Sequence, residues 1–437
     1  NNQDRNINTM SSVSGSMMAP RRLYNNKTAR GSDDDKEGEK DSKRRCTSSS
    51  ITTTASSRKQ EAATSNRINN LSSAQAVIPN NISYPTEPNN NVTATTNTTN
   101  VVVDNSEPPT AVKTSDELCK IVFCSRYEGL RALDKLYEWV CTENPAEFLN
   151  SFHVNDGAVK VLDFLMATIN DSNCEEPFRM KCIEKAVDVI MLVCYDEKDS
   201  NNKEIVTNIA TSIVVYGGID TLINVSKEYS NGDDVPQLTV LDSVWATLRN
   251  ITCRLKDTTN MIGKEQAIIL FNASIDMFVQ FNPNDSPIVS SILENVFLIL
   301  SNLVRSHLVI KHIRDTNVVS KCLEVIGKGI NWSEDMTEAA IDFFNSCRLQ
   351  KLLDGGNDYK MLLPFLASVL KIFGSNEWIL TYTLRMIHGA CDTIDDQEMI
   401  EGSGVMEPLV VLLASNDIDK SQKKKVRTVI VKIFKCK

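Results

Sequence analysis

Ser286-Pro287-Ile288-Val289-Ser290-Ser291-Ile292-Leu293-Glu294-Asn295-Val296-Phe297-Leu298-Ile299-Leu300-Ser301-Asn302-Leu303-Val304 is the stretch that decides the architecture of this chain. Ile288, Ile292, Leu293, Val296, Phe297, Leu300, Leu303 and Val304 recur at spacings of three and four, one broad apolar stripe along a helix. Ser286 is a suitable N-cap, and a proline at the first helical position loses nothing through its missing N–H. The predicted helix closes on Leu300-Ser301-Asn302, and that ending recurs in Leu248-Arg249-Asn250 and Phe343-Phe344-Asn345. Leu192 and Gly389 hold equivalent positions in weaker copies, with Glu138 and Lys432 at the two ends. Successive intervals between these seven positions are 54, 58, 52, 43, 44 and 43. Helices recurring at such a period predict an all-α, right-handed α-solenoid.

The register supports copies of one unit. Pro177 opens a helix carrying Ile183, Ala186, Val187, Ile190 and Val193, and Pro236 one carrying Leu241, Val244, Trp245, Leu248 and Ile251. From the proline to the Asn-equivalent position is 15, 14 and 15 residues in the three helices. A second helix precedes each long one, opened by small residues: Asp156-Gly157-Ala158-Val159 before Leu162, Gly217-Gly218-Ile219 before Leu222, and Gly402-Ser403-Gly404-Val405 before Leu409. Glycine permits positive φ and a close helix approach there. A shorter helix comes before the glycines, as in Lys203 to Tyr216 and Gln397 to Glu401.

A short helix, a Gly-Gly-Ile turn, a second helix with Leu-Ile and a long third helix ending near Leu-x-Asn resembles the armadillo repeat. Residues 217–252 match best, through Gly217-Gly218-Ile219, Leu222-Ile223 and Leu248-Arg249-Asn250-Ile251. The resemblance covers about 145–437 in six repeats, with 116–144 as an N-terminal cap. The glycine turn degrades in the repeats beginning near 272, 317 and 361, and the longest intervals imply insertions around 196–203 and 254–264.

Composition divides the chain. All 14 Phe and all 4 Trp lie beyond residue 120, and residues 1–115 are rich in Asn, Ser and Thr, so that segment is expected to be disordered. It holds 14 Lys and Arg against 11 Asp and Glu, a net of +3, including Asp33-Asp34-Asp35 and Lys43-Arg44-Arg45. Residues 116–437 hold 33 and 45, a net of −12, which argues against nucleic acid as a partner. Cys182, Cys194, Cys253, Cys322, Cys347 and Cys391 are spread singly through predicted helices, which reads as free thiols in a reducing, intracellular and rather cytoplasmic setting. No CxxC pair and no His/Cys ligand spacing occurs, so neither metal nor cofactor is expected. No apolar run approaches the ~20 residues of a membrane span. Since the first residue is not Met, a processed or partial chain is expected.

No catalytic constellation is found: Gly355-Gly356 lacks the rest of a phosphate loop, and no nucleophile elbow exists, so the chain is not expected to be an enzyme. The resemblance implies instead a concave groove lined by third helices, where the Asn of Leu-x-Asn bonds the backbone of an extended peptide. Asn250, Asn302 and Asn345 would form that ladder. Arg254, Arg305 and Arg348 lie four, three and three residues further on, where they would receive an acidic peptide. The same arginines can be read as helix ends that suit the dipole. Trp245 lies five residues before Asn250, turned toward the core stripe, and reads as a packed core residue rather than an importin-alpha-like groove Trp. The expected role is a protein-interaction scaffold. Two alternatives stay open: a structural subunit joined through its convex face or C-terminal end, where Ile433 and Phe434 would be exposed, and an importin-alpha-like transport adaptor. Lys423-Lys424-Lys425 reads as a solvated helix face.

Overall fold

The structure, a computed structural model, describes residues 110–141, 145–195, 202–232, 234–256, 261–282, 284–316, 318–326, 332–353, 355–394 and 397–435. All belong to the unit Val101–Lys437. The expected disorder of the first segment, and its charged clusters, lie outside the described residues apart from a helix that begins at Thr110, short of the expected domain start at 116.

Among the described residues every regular element is helical. The chain opens with α1 (Thr110–Phe123), α2 (Arg126–Val140), α3 (Pro145–Val154), α4 (Gly157–Ile169), α5 (Glu176–Val193) and α6 (Lys203–Val215). It continues through α7 (Gly218–Tyr229), α8 (Val235–Thr252), a 3₁₀ turn (Cys253–Lys256), α9 (Lys264–Gln280), α10 (Pro287–Arg305) and α11 (Ile310–Thr316). It ends with α12 (Val318–Ile326), α13 (Glu334–Leu349), α14 (Gly355–Phe373), α15 (Glu377–Thr393), α16 (Gln397–Gly402), α17 (Met406–Ala414) and α18 (Lys420–Ile433).

Two layers run through this unit. Each of the long helices α2, α5, α8, α10, α13, α15 and α18 packs on the next. Behind them α4, α7, α9, α12, α14 and α17 pack in the same order, each except α12 also leaning strongly on the long helix that follows it. The seven equivalent positions from Glu138 to Lys432 fall one in each long helix. This all-helical stack is consistent with an α-solenoid, in which a unit buries its apolar stripe only against its neighbours.

Local chemistry explains the elements. Ser125, Asp234, Ser286, Ser333, Asn376 and Asp419 cap α2, α8, α10, α13, α15 and α18, each accepting from the backbone N–H three residues on. Glu175, ahead of α5, makes no such bond. At the Gly217-Gly218 turn the two glycines divide the labour. Gly217 takes φ +80°, and Gly218 lets α7 approach so closely that a Cβ would stand 2.4 Å from Ile213 Cγ2. At the first turn Asp156 takes the positive φ (53°), leaving Gly157 the close approach to Phe152. Where the glycine turn is missing, the second layer changes: α9 and α14 are single helices of 17 and 19 residues.

The core runs the length of the stack. Trp245 is fully buried, its Nε1 donating to Ser226 Oγ at 3.1 Å, as expected of a core residue. Phe297 on α10 touches Phe278, Trp332, Phe343 and Phe344 at ring separations of 4.5 to 6.3 Å, tying α9 and α13 to α10. Among the described residues no helix makes a clear membrane span, although by length and composition alone α10, with 19 residues, could cross one, as could α6 and α7 taken together despite a 70° bend. Of the apolar window in α10, however, 61% is buried inside the protein.

Candidate interaction face

The long helices are joined by side-chain bonds along one row. Ser243 on α8 donates to Asp188 on α5 at 2.8 Å, and Ser291 on α10 donates to Asp242 on α8 at 2.8 Å. Ser301 on α10 donates to Asp342 on α13 at 2.9 Å. The Leu-x-Asn residues act in the same row. Asn250 Nδ2 donates to the Met191 carbonyl on α5 at 3.0 Å, and Asn302 Nδ2 to Thr252 Oγ1 on α8 at 3.3 Å. These amides bridge adjacent repeats and hold the stacking register.

That geometry bears on each expected groove residue. Asn250 and Asn345 are only 5% exposed, and their Oδ1 atoms accept from Arg249 and Arg348 respectively. Asn302 is partly exposed. The three arginines are not equivalent. Arg254 lies in the 3₁₀ turn after α8 and is 6% exposed. Arg305 pairs with Asp342 and donates to Ser346 at 3.1 Å, and Arg348 is spent on Asn345 at 3.0 Å. The guanidinium groups of Arg305 and Arg348, expected to receive acidic side chains, find acceptors inside the stack first, because those acceptors are pre-positioned and need no partner to be ordered.

Carboxylates dominate the other half of the row. Glu184 and Asp188 on α5, Asp242 on α8, Glu294 on α10 and Asp335, Glu338 and Asp342 on α13 recur on successive long helices. Glu294 is partly buried, and desolvation, with Asp335, Asp242 and Glu338 nearby, pushes its carboxyl up to about 7 against the pull of Arg249. Asp188 is pushed up to about 6, chiefly by burial, against the Ser243 hydrogen bond and Lys185. Burial also raises Glu184. Asn295 donates through Nδ2 to Asp242 at 3.3 Å, while its Oδ1 meets no donor. Sequence reading passed over this row because each carboxylate looks like an ordinary exposed helix residue. The available signal was the recurrence of Glu184, Asp242, Glu294 and Glu338 seven or eight positions before the Asn-equivalent position.

Elsewhere the chemistry is sparse. No group of three or more His, Cys, Asp or Glu suited to a metal ion occurs among the described residues. The cysteines described are free thiols, and burial pushes Cys194 and Cys322 up to about 12, which leaves them protonated and poor nucleophiles. At the far end Ile433 is buried rather than exposed, whereas Phe434 is 60% exposed beside Val431, with Val410 and Val411 exposed on α17.

No family model and no curated protein matches this chain. Solved structures similar to it include the crystal structure of an engineered protein, a structural genomics target, at 11% identity and a TM-score of 0.35. That match covers 74% of this chain and 96% of the other. A likeness of that size carries no argument about fold or role.

Proposed function

We propose that this chain is a protein-interaction scaffold of armadillo type that holds an extended segment of another protein along the face of its long helices. The carrying observation is register: carboxylates on four consecutive long helices, Glu184, Asp242, Glu294 and Glu338, stand eight, eight, eight and seven positions before the Asn-equivalent position. A periodic row suits an extended chain, whose own side chains recur at a fixed rise. The three-helix units and the positive-φ turns at Asp156, Gly217 and Gly404 support the armadillo type. No catalysis and no cofactor enter this reading.

A photo-crosslinking residue at position 302, on this face, should capture a partner polypeptide, while the same residue at exposed Val279 on α9 should not. Capture from position 279 alone rejects the reading. A second role is favoured by exposed Val410, Val411, Val431 and Phe434, an apolar end suited to joining another subunit. In that case Val411→Asp with Phe434→Asp would abolish partner association while substitutions at position 302 left it intact.

A further inference from the structure

We infer that the outward face of α18 docks on a membrane surface, its lysines and Arg427 lying against anionic lipid headgroups and Val431 and Phe434 entering the lipid. This goes beyond a polypeptide held along the long helices. It gives an occupant to the end of the stack that the second role above leaves to another subunit.

Three observations carry it. The first is register within the helix. Gln422, Val426, Val429 and Ile433 form the buried stripe of α18. On the opposite side Lys420, Lys424, Arg427, Val431 and Phe434 follow at spacings of four, three, four and three. All five are exposed, as is Lys435. The second is charge. Residues 420–435 hold six Lys, one Arg and no Asp or Glu, within a region, 116–437, that has 33 Lys and Arg against 45 Asp and Glu. Lys420, Lys424, Arg427 and Lys435 form no ion pair among the described residues. Asp419, just ahead of them, accepts from the Gln422 N–H as the cap. The third is a comparison with α10. Counted from the equivalent positions Asn302 and Lys432, Arg427 and Phe434 stand where α10 has Phe297 and Val304. Those two are fully buried, and Phe297 packs on Phe343 and Phe344 of the next long helix. With a guanidinium in place of that anchor, this face is not built to stack another long helix.

The mixture of groups selects the occupant. A second copy's carboxylate row would answer the charge but not the apolar tip, where Val431 and Phe434 are 50% and 60% exposed. Neighbouring α17, which packs on α18, exposes Val410 and Val411 as well. A bilayer surface offers anionic groups and, about 5–10 Å deeper, hydrocarbon. Lysine, a hydrated point charge, is depleted in protein interfaces and suits a diffuse anionic surface. Read from sequence alone, the same lysines looked like a solvated face, because the alignment of Val431 and Phe434 with them shows only once the buried stripe is fixed.

Vesicle co-sedimentation with the full chain tests the inference. The chain should sediment with mixed phosphatidylcholine and phosphatidylserine vesicles, stay in solution with phosphatidylcholine alone, and be released as salt rises. Lys420→Gln with Lys424→Gln and Arg427→Gln should weaken binding about a hundredfold, at roughly fivefold per cation. Val431→Ser with Phe434→Ser should weaken it about tenfold. A control with the same change in charge at exposed positions on other helices, Lys227→Gln with Lys264→Gln and Lys321→Gln, should bind as wild type. Every substituted side chain is exposed, so the helical circular dichroism should stay unchanged. Equal binding to the neutral vesicles, no binding to the mixed ones, or an equal loss in the control overturns the inference. If the chain ignores vesicles but forms a dimer in analytical ultracentrifugation that Val431→Ser with Phe434→Ser dissolves, the end is a subunit contact and the lipid surface is rejected. Crosslinking from position 302 should be untouched by these variants, so failure at α18 leaves the docking of a polypeptide on the long helices as it stood.

Discussion

Arg305 illustrates how a side chain's destination is set by what is already in place around it. Its guanidinium meets Asp342, a carboxylate 3% exposed, together with Ser346. Arg305→Ala should strip that carboxylate of its charged partner and cost about 1–3 kcal/mol in thermal or urea unfolding. Lysine should restore only part of this, since it lacks the planar fork. Half the Arg305 side chain is in water, which keeps the effect below that of a fully buried pair. Glu294 behaves in the opposite sense. Its value rises from 4.5 to about 7 on folding, so the folded chain favours the protonated form. The stability it contributes is complete below about pH 4.5 and is lost as pH rises through 7. Glu294→Gln should therefore stabilise the free chain at pH 8 by roughly 1–2 kcal/mol and leave it nearly unchanged at pH 4, as read from urea midpoints at the two values. At the turn before α7, Gly218→Ala should cost more than Gly217→Ala. The former drives a Cβ into Ile213, including its backbone oxygen at 2.8 Å, while the latter meets open space and bears only the strain of positive φ, about 1–2 kcal/mol.

At the scale of the element, caps place the start of every long helix except α5, and aromatic packing holds α10 to its neighbours. Asp234→Ala removes the acceptor for the Gln237 N–H at 2.9 Å and should cost about 1 kcal/mol, measured as a fall in melting temperature. Phe297→Ala empties the centre of the cluster that links α9, α10 and α13. A loss of about 3–5 kcal/mol is expected there, because surrounding rings on separate helices cannot all collapse into the gap. The second layer varies more than the first. α9 and α14 run as single helices because no glycine stands at their middles to reverse the chain, and α14 even carries Pro364 within it. The long helices keep their number and order through these changes, since each from α5 to α15 is sandwiched between two others.

For the whole unit, packing partners are close neighbours in the order of the stack. Cooperativity then passes from one repeat to the next, and damage in the middle need not unfold both ends together. Phe344→Ala, fully buried on α13, should speed amide exchange in α12 to α14 well before it affects α4 to α7. Uniform loss of protection from α1 to α18, read by hydrogen exchange with mass spectrometry, would contradict a repeat-by-repeat unit.

Much of this architecture was legible before any coordinates. Proline, N-cap and apolar stripe lie within a few residues of one another, so Ser286-Pro287 and the recurrence ending at Asn302 were enough to place α10 and count its equivalents. The core role of Trp245 followed likewise from helical phase. What the sequence could not tell is where a polar side chain spends its hydrogen bonds. Asn250 reaches Met191, 59 positions away, and Arg305 reaches Asp342, 37 away. Those partners are fixed by how one helix sits on the next. The same tertiary contact gathers Asp242, Glu294, Asp335 and Glu338, each unremarkable in its own helix, into one cluster, and their mutual repulsion and shared desolvation exist only once the helices are stacked.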